Sequence, residues 1–241
     1  RLATDYLKVW EDLAEVRAIR RDDPAPEWAA EEARLVPALG TSFQAVRAVN
    51  ENVYPGVRLD RTVILTRHFA LDVFRVRSPS THQYDWALHV MGVPTIPPGD
   101  APADLGSARG YRHFRNVREL TVQEALVRLH WHLPNARTTG LLLPPAEARL
   151  FVAEDPPPRT EGDLGELGPP PARSAVIVRV QASATVFISL WCFEACATEP
   201  PELEVLDDPP AGDILLATTC GGESRQWRLP FAEPKVEMQG Q

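Results

Sequence analysis

A chain of 241 residues, 44% hydrophobic and 24% charged, has ordinary globular composition and room for one large β domain or two small ones. Its net charge of -8 argues against a general affinity for nucleic-acid phosphates. No apolar run approaches the roughly 20 residues a membrane helix needs, so neither nucleic acid nor membrane is an expected partner.

Only Lys8 and Lys235 are lysines, which leaves 23 arginines among the 25 basic residues. Arginine's planar fork suits carboxylates and sulfates, so an acidic ligand at a local arginine cluster is compatible with the negative total. Cys192, Cys196 and Cys220 cannot all pair within one chain. Cys192 and Cys196 would lie about 13 Å apart in a strand, too far for a disulfide, and buried thiols are expected. The compartment stays open. Starting at Arg1 with no signal-peptide pattern, the chain reads as a processed chain or a fragment.

In chain order, Leu2, Tyr6, Val9, Trp10, Leu13, Val16 and Ile19 recur at spacings of three and four, which predicts an amphipathic helix. A second helical run is expected over Pro26 to Arg34, so residues 1–40 read as a helical lead-in to a sandwich over 41–241. From Ser42 the pattern changes to period two. Tyr54-Pro55-Gly56-Val57 suits a type II turn between two strands. Arg61 to Thr66 and Phe69 to Val76 are β-branched and aromatic runs, and Ser78-Pro79-Ser80-Thr81 is expected to break them from Gln83 to Val90.

Residues 93–110 lack periodicity and read as a surface loop. Val117 to Thr121, Ala125 to Leu133, Thr139 to Leu143 and Arg149 to Ala153 read as strands, and the Pro- and Gly-rich acidic residues 155–173 as a mobile connection. SAVIVRVQASATVFISLWCFEA reads as two strands broken near Gln181 to Ala184. Ile214 to Thr218 and Gln226 to Leu229 follow, joined by a turn at Cys220-Gly221-Gly222. The sum is an antiparallel β-sandwich of about ten or more strands behind a helical segment.

Three places could carry chemistry. In THQYDWALHVM, Asp85 and His89 share a strand face about 13 Å apart. One of them could reach a saccharide groove or a metal shell; alternatively Asp85 pairs with an arginine such as Arg75 and His89 with a backbone carbonyl. His130 and His132 sit at i and i+2, about 7 Å apart on one strand face, a spacing that could converge on zinc if other ligands joined them. A cupin-like metal enzyme built on this pair is one reading and a half-exposed polar strand face the other. Arg112 and His113, in Gly110-Tyr111-Arg112-His113-Phe114-Arg115, lie among arginines and aromatics that could stack on sugars and pair with their carboxylates. No nucleophile elbow or phosphate loop is present, and CFEAC matches neither a redox nor a zinc pattern.

The stretch YPGVRLDRTVILTRHFALDVFRVRSPSTHQYDWALHVMG resembles the late part of the heparinase II/III-like polysaccharide lyases, with a YPGV-like turn, an Arg, a DVF-like segment and a YDWxLH-like segment in that order. SAVIVRVQASATVFISLWCFEA looks like later sandwich strands of that family. The resemblance covers residues 35 to 230 and implies an α/α toroid followed by antiparallel sheets, acting on uronic-acid-containing glycans by β-elimination. It implies that the catalytic residues lie outside this chain, on a toroid domain or partner chain against which residues 1–40 would pack. A periplasmic or extracellular location follows from it, as does room for structural zinc or calcium in the parent enzyme. Arg75, Asp85, His89, Arg112 and His113 are the residues expected to contact an acidic polysaccharide. The alternative is a non-catalytic carbohydrate-binding or interaction module of the same fold.

Overall fold

The alternation that begins at Phe43 makes strands because one side of each residue pair can be buried while the other stays wet. In the computed structural model the described residues are 15–19, 43–96, 100–108, 110–122, 124–133, 136–155, 172–193, 200–207, 212–232 and 236–239. They hold fifteen strands and no helix. None of them forms a helix long and apolar enough to cross a membrane. The strands divide between two units, Arg1–Thr81 with Ser183–Gln241, and His82–Ala182.

In the first unit β1 (Glu15–Ile19), β2 (Gln44–Asn50), β3 (Arg58–Leu65), the first part of β4 (Phe69–Met91) and the last part of β11 (Arg173–Phe193) form one sheet, in the order β1-β2-β3-β4-β11. The β2–β3 hairpin closes where the sequence places it, with the Val57 N–H donating to the Tyr54 carbonyl at 3.0 Å and Gly56 at a φ of 74°. That is the left-handed position a type II turn reserves for glycine. A second sheet holds β12 (Glu202–Asp207), β13 (Ile214–Cys220), β14 (Glu223–Leu229) and β15 (Glu237–Gln239) in chain order. Cys220 and Glu223 pair across Gly221-Gly222, whose φ values of 64° and 76° suit a tight hairpin.

The two sheets meet over Trp227, which is fully buried. Phe43 and Phe69 approach its ring edge-on at 5.2 and 6.1 Å, and its indole N–H donates to Thr218 Oγ1 at 2.9 Å, so the polar end of the side chain is satisfied. Beside it lies a charged cluster. Arg47 holds Asp60 through two hydrogen bonds of 2.8 and 2.6 Å, with side chains only 5% and 2% exposed. Arg47 also donates to the carbonyls of Pro230 (3.1 Å) and Phe231 (2.8 Å), and Arg75 donates to that of Leu229 (2.6 Å). The segment leaving β14 is thus held by two arginines from the opposite sheet.

The second unit contains the rest of β4 and β11 with β10 (Arg149–Glu154), β7 (Arg115–Leu120) and β6 (Ala101–Pro102), together with a ribbon of β5 (Val93–Thr95), β8 (Val127–Leu133) and β9 (Ala136–Leu143). Leu150 to Ala153 are all buried because β10 lies between β7 and β11. Phe151, Ala175, Ile177 and Leu105 form the core, with Tyr111, Phe114 and Val117 packed against it.

Four expectations need correction. Within the helical lead-in, Glu15–Ile19 is a strand, in register with β2 from Glu15↔Val49 to Ile19↔Ala45; EVRAI also alternates with period two, and pairing along β2 decides for the strand. The rest of that lead-in, including Pro26–Arg34, lies outside the described residues. Neither expected break interrupts its strand: β4 runs unbroken through Ser78–Thr81, and β11 through Gln181–Ala184. Residues 79–83 are exposed, and the units divide at Thr81/His82 and Ala182/Ser183. The polar interruptions therefore mark where each strand leaves one core, not a turn. Residues 93–110 contain β5 and β6, and Glu202–Asp207 forms a strand that its acidic composition hides. Within the expected 155–173 connection, residues 156–171 lie outside the described ones. Its ends meet where the Asp155 N–H donates to the Arg173 carbonyl at 3.1 Å.

Replacing Asp60 by Ala leaves Arg47 buried without its counter-charge and is expected to cost about 3–5 kcal/mol in urea unfolding, whereas Glu51→Ala, which breaks an exposed pair with Arg58, costs less than about 1 kcal/mol. A second expectation concerns pH. The Phe231 N–H and then Arg228 hold the Asp213 carboxyl below its ordinary range. A lowered folded-state value stabilises the fold above the unfolded value and is lost as the pH falls, below about 4 here. Asp213→Asn should therefore reduce the difference between urea midpoints measured at pH 7 and pH 3.

Candidate functional site

The residues with the most concentrated polar chemistry lie in the second unit, around one turn. Tyr111 N–H donates to the Ala108 carbonyl at 2.9 Å, and Phe114 N–H donates to the Tyr111 carbonyl at 3.0 Å, which closes a turn over residues 111–114. Tyr111 and Phe114 pack inward against the core, and Arg112, His113 and Arg115 stand exposed. Asn116 ends the turn at a φ of 47°, a left-handed conformation asparagine tolerates better than most residues, and its side chain donates to Glu154 at 2.7 Å.

Two ion-pair clusters hold the turn. Asp85, on β4, receives two hydrogen bonds of 2.8 Å from Arg179 on β11 and a third from the Tyr111 hydroxyl. The Arg179 guanidinium lies 5.2 Å from the Tyr111 ring centre and 5.5 Å from that of Phe151, and also donates to the Leu105 carbonyl at 3.1 Å. Asp85 raises the Arg179 pKa further above its ordinary value by hydrogen bonding to the charged form. Four residues further along β4, on the same face, His89 bonds through Nδ1 to Asp155 Oδ2 at 2.8 Å, and Arg173 donates to the same carboxylate. The His89 ring lies 6.1 Å from that of Phe114. Asp85 and His89 therefore share a face, and each meets one aromatic of the turn.

The candidates thus fall into three places. Asp85, His89, Arg112 and His113 come together around residues 108–116. Arg75 is buried in the first unit, 3.9 Å from Asp60 and 5.8 Å from the Phe231 ring centre. His130 and His132 are exposed on β8, with His130 Nδ1 3.0 Å from Thr139 Oγ1. Among the described residues, no group of three or more His, Cys, Asp or Glu side chains is placed to hold a metal. Cys192 and Cys220 are buried and form no disulfide among the described residues, and Cys196 lies outside them.

Sequence reasoning did not find Arg179, Asp155 and Arg173, because Arg179 is 94 positions from Asp85 and Asp155 is 66 from His89. Arg115 carried a usable signal, since it continues the exposed basic pattern of Arg112 and His113. Its significance comes from contrast. Arginines 47, 58, 61, 75, 118, 149, 173, 179, 225 and 228 each meet a carboxylate. Among the described residues Arg112 and Arg115 form no such ion pair, nor do Arg67, Arg77 and Arg137, and Arg115 stands opposite Glu154 in the β7–β10 register. The turn therefore presents two guanidiniums and an imidazole on an anchored support, an arrangement suited to carboxylates or sulfates.

No protein-family model matches the chain, and no curated protein matches it. Among solved structures it is similar to the heparan sulfate lyase HepC from Pedobacter heparinus, at 13% identity over 80% of this chain and 27% of that one, with a TM-score of 0.46. It is also similar to a heparinase III, at 10% identity over 78% of this chain and 26% of that one, with a TM-score of 0.45. The chain thus spans about a quarter of the length of those structures. Identities this low, with TM-scores below 0.5, transfer no activity to this chain.

If the left-handed backbone at Asn116 shapes the turn, Asn116→Gly should leave thermal stability nearly unchanged. Asn116→Val should cost about 1–2 kcal/mol, because a β-branched side chain is strained at that φ.

Proposed function

We propose that this chain is the β-sandwich part of a polysaccharide lyase that cleaves uronic-acid-containing glycans, of glycosaminoglycan or alginate type, by β-elimination. The observation that carries the binding half of this reading is the turn at Arg112, His113 and Arg115, whose two guanidiniums and imidazole stand exposed beside two aromatic anchors, with neither arginine in an ion pair among the described residues. The lyase half is supported by the resemblance of the Tyr54 to Gly92 stretch. In β-elimination a cation or hydrogen-bond donor neutralises the uronate carboxylate, a base removes the C5 proton, and an acid protonates the leaving oxygen. Arg112 and Arg115 suit the first task, and His113 adds a donor beside them.

The base and acid come from an α/α toroid domain or partner chain in this reading. The Tyr111 hydroxyl already donates to Asp85, and His89 Nδ1 is bonded to Asp155, so both side chains support the turn. Asp85 and His89 act as positioning residues, and Arg75 belongs to the first unit's clasp. The enzyme acts in the periplasm or outside the cell, where such polysaccharides are met. A non-catalytic carbohydrate-binding module would use the same turn, and the two readings part over whether a toroid partner copurifies.

Retention of the chain on immobilised heparan sulfate, chondroitin, hyaluronan or alginate tests the binding half. Arg112→Ser with Arg115→Ser should weaken binding about tenfold, the equivalent of ~1.4 kcal/mol, with no change in melting temperature. The chain alone should release no ultraviolet-absorbing unsaturated uronate. Retention on none of these polysaccharides would overturn the reading.

A further inference from the structure

A different part of the second unit carries a second unbalanced charge pattern. β8 pairs with β5 on one side and β9 on the other, in registers that set His132 opposite Val93 and Arg137, and His130 opposite Thr95 and Thr139. Directly opposed residues share a sheet face, so Val93, Thr95, His130, His132, Arg137 and Thr139 form one surface. His130, His132, Arg137, Val93 and Thr95 are exposed on it. The alternate residues Leu129 and Trp131 point to the other face and are buried, with the Trp131 indole N–H donating to Ser174 Oγ at 2.9 Å.

Strands 93–95, 127–133 and 136–143 contain no Asp or Glu at all. That is unusual in a chain of net charge -8. Several cross-strand arginines elsewhere meet acids even where another arginine stands opposite: Arg61 bonds Asp72 between β3 and β4, and Arg149, opposite Arg179, bonds Glu119 while Arg179 bonds Asp85. On β8 and β9, Arg137 instead stands opposite an imidazole. Directly opposed groups lie about 4.5–5.5 Å apart at Cβ. An anion set between them accepts a charge-assisted hydrogen bond from the Arg137 guanidinium and a second hydrogen bond from the His132 ring.

We propose that the exposed face of β5, β8 and β9 is a second docking surface for an acidic polysaccharide, with His132 and Arg137 holding one carboxylate or sulfate. This rests on the reading of the chain as a binder of uronate-containing glycans. The Thr95 and Thr139 hydroxyls beside the imidazoles suit a hydroxylated ligand. Val93, 61% exposed opposite His132, gives an apolar contact for a ring edge. Single-stranded nucleic acid fits less well, because it needs exposed aromatics for its bases and Trp131 is on the buried side. A polymer occupying both this face and the Arg112–Arg115 turn would be held at two points on one unit, so each contact would raise the effective concentration at the other.

The test compares the full chain with His132→Gln/Arg137→Ser on immobilised heparan sulfate, with neutral dextran and double-stranded DNA as reference surfaces. The variant should bind three- to tenfold more weakly and with a shallower dependence on salt, while Arg137→Lys retains most of the binding and dextran retains neither protein. Both changed positions are exposed, so the melting temperature should hold. Wild-type binding left unchanged in the double variant would overturn the second surface and leave the function standing. Absence of wild-type binding to every uronate polysaccharide would overturn the function and this inference with it. Tighter binding to DNA than to heparan sulfate, lost in the double variant, would reassign the face to nucleic acid.

Discussion

The first unit depends on the Arg47–Asp60 pair. Two strands bring these residues diagonally together on the buried face of a sheet, and the second sheet supplies the carbonyls of Pro230 and Phe231 that complete the guanidinium's hydrogen bonds. Burying such a pair is costly, and what offsets the cost is complete satisfaction of both partners. Arg75 extends the arrangement to the Leu229 carbonyl, and Asp213 receives the Phe231 N–H from the outside. Pro230 and Phe231, which follow β14, thus take their carbonyl hydrogen bonds from Arg47 of the opposing sheet, and Leu229 from Arg75. Trp227, pinned by Phe43 and Phe69, supplies apolar burial; the arginines supply alignment.

The second unit uses the same chemistry for another purpose. Arg179 with Asp85, and Arg173 with Asp155, are pairs at the margin of the core, and each is bridged to an aromatic of one short turn. Because Tyr111 and Phe114 are fixed by these contacts, the residues between and after them must point outward. Arg112, His113 and Arg115 are thereby presented to solvent, and among the described residues neither arginine forms an ion pair, although Arg115 stands opposite Glu154 across β7 and β10. Preorganised cations lose less entropy when they meet an anion than flexible surface lysines do, which fits the arginine-rich composition.

Much of the β architecture was legible because period-two alternation, turn glycines and β-branched runs are local properties. The YPGV hairpin and the Gly221-Gly222 hairpin illustrate this, since each depends on backbone conformations written in two or three adjacent residues. The polar interruptions at Ser78–Thr81 and Gln181–Ala184 were legible as interruptions but not as what they are. A strand leaving one core and joining another loses its buried residues just as a strand ending in a turn does. Glu15–Ile19 shows the reverse ambiguity, where a short segment satisfies helical and strand periods and its pairing with β2 settles the matter.

The candidate site divides along the same line. By itself the sequence determined that Asp85 and His89 share a face, that Arg112 and His113 sit among aromatics, and that His130 and His132 lie on one side of a strand, because alternation along a strand is geometry of the backbone. Only the tertiary structure decided which of these side chains are occupied. It gave Asp85 to Arg179, His89 to Asp155 and Arg75 to a buried clasp, and it left Arg112 and Arg115 without an ion pair among the described residues. Pairing partners separated by scores of residues are chosen by the folding of strands against one another, and that choice leaves no local mark in the sequence.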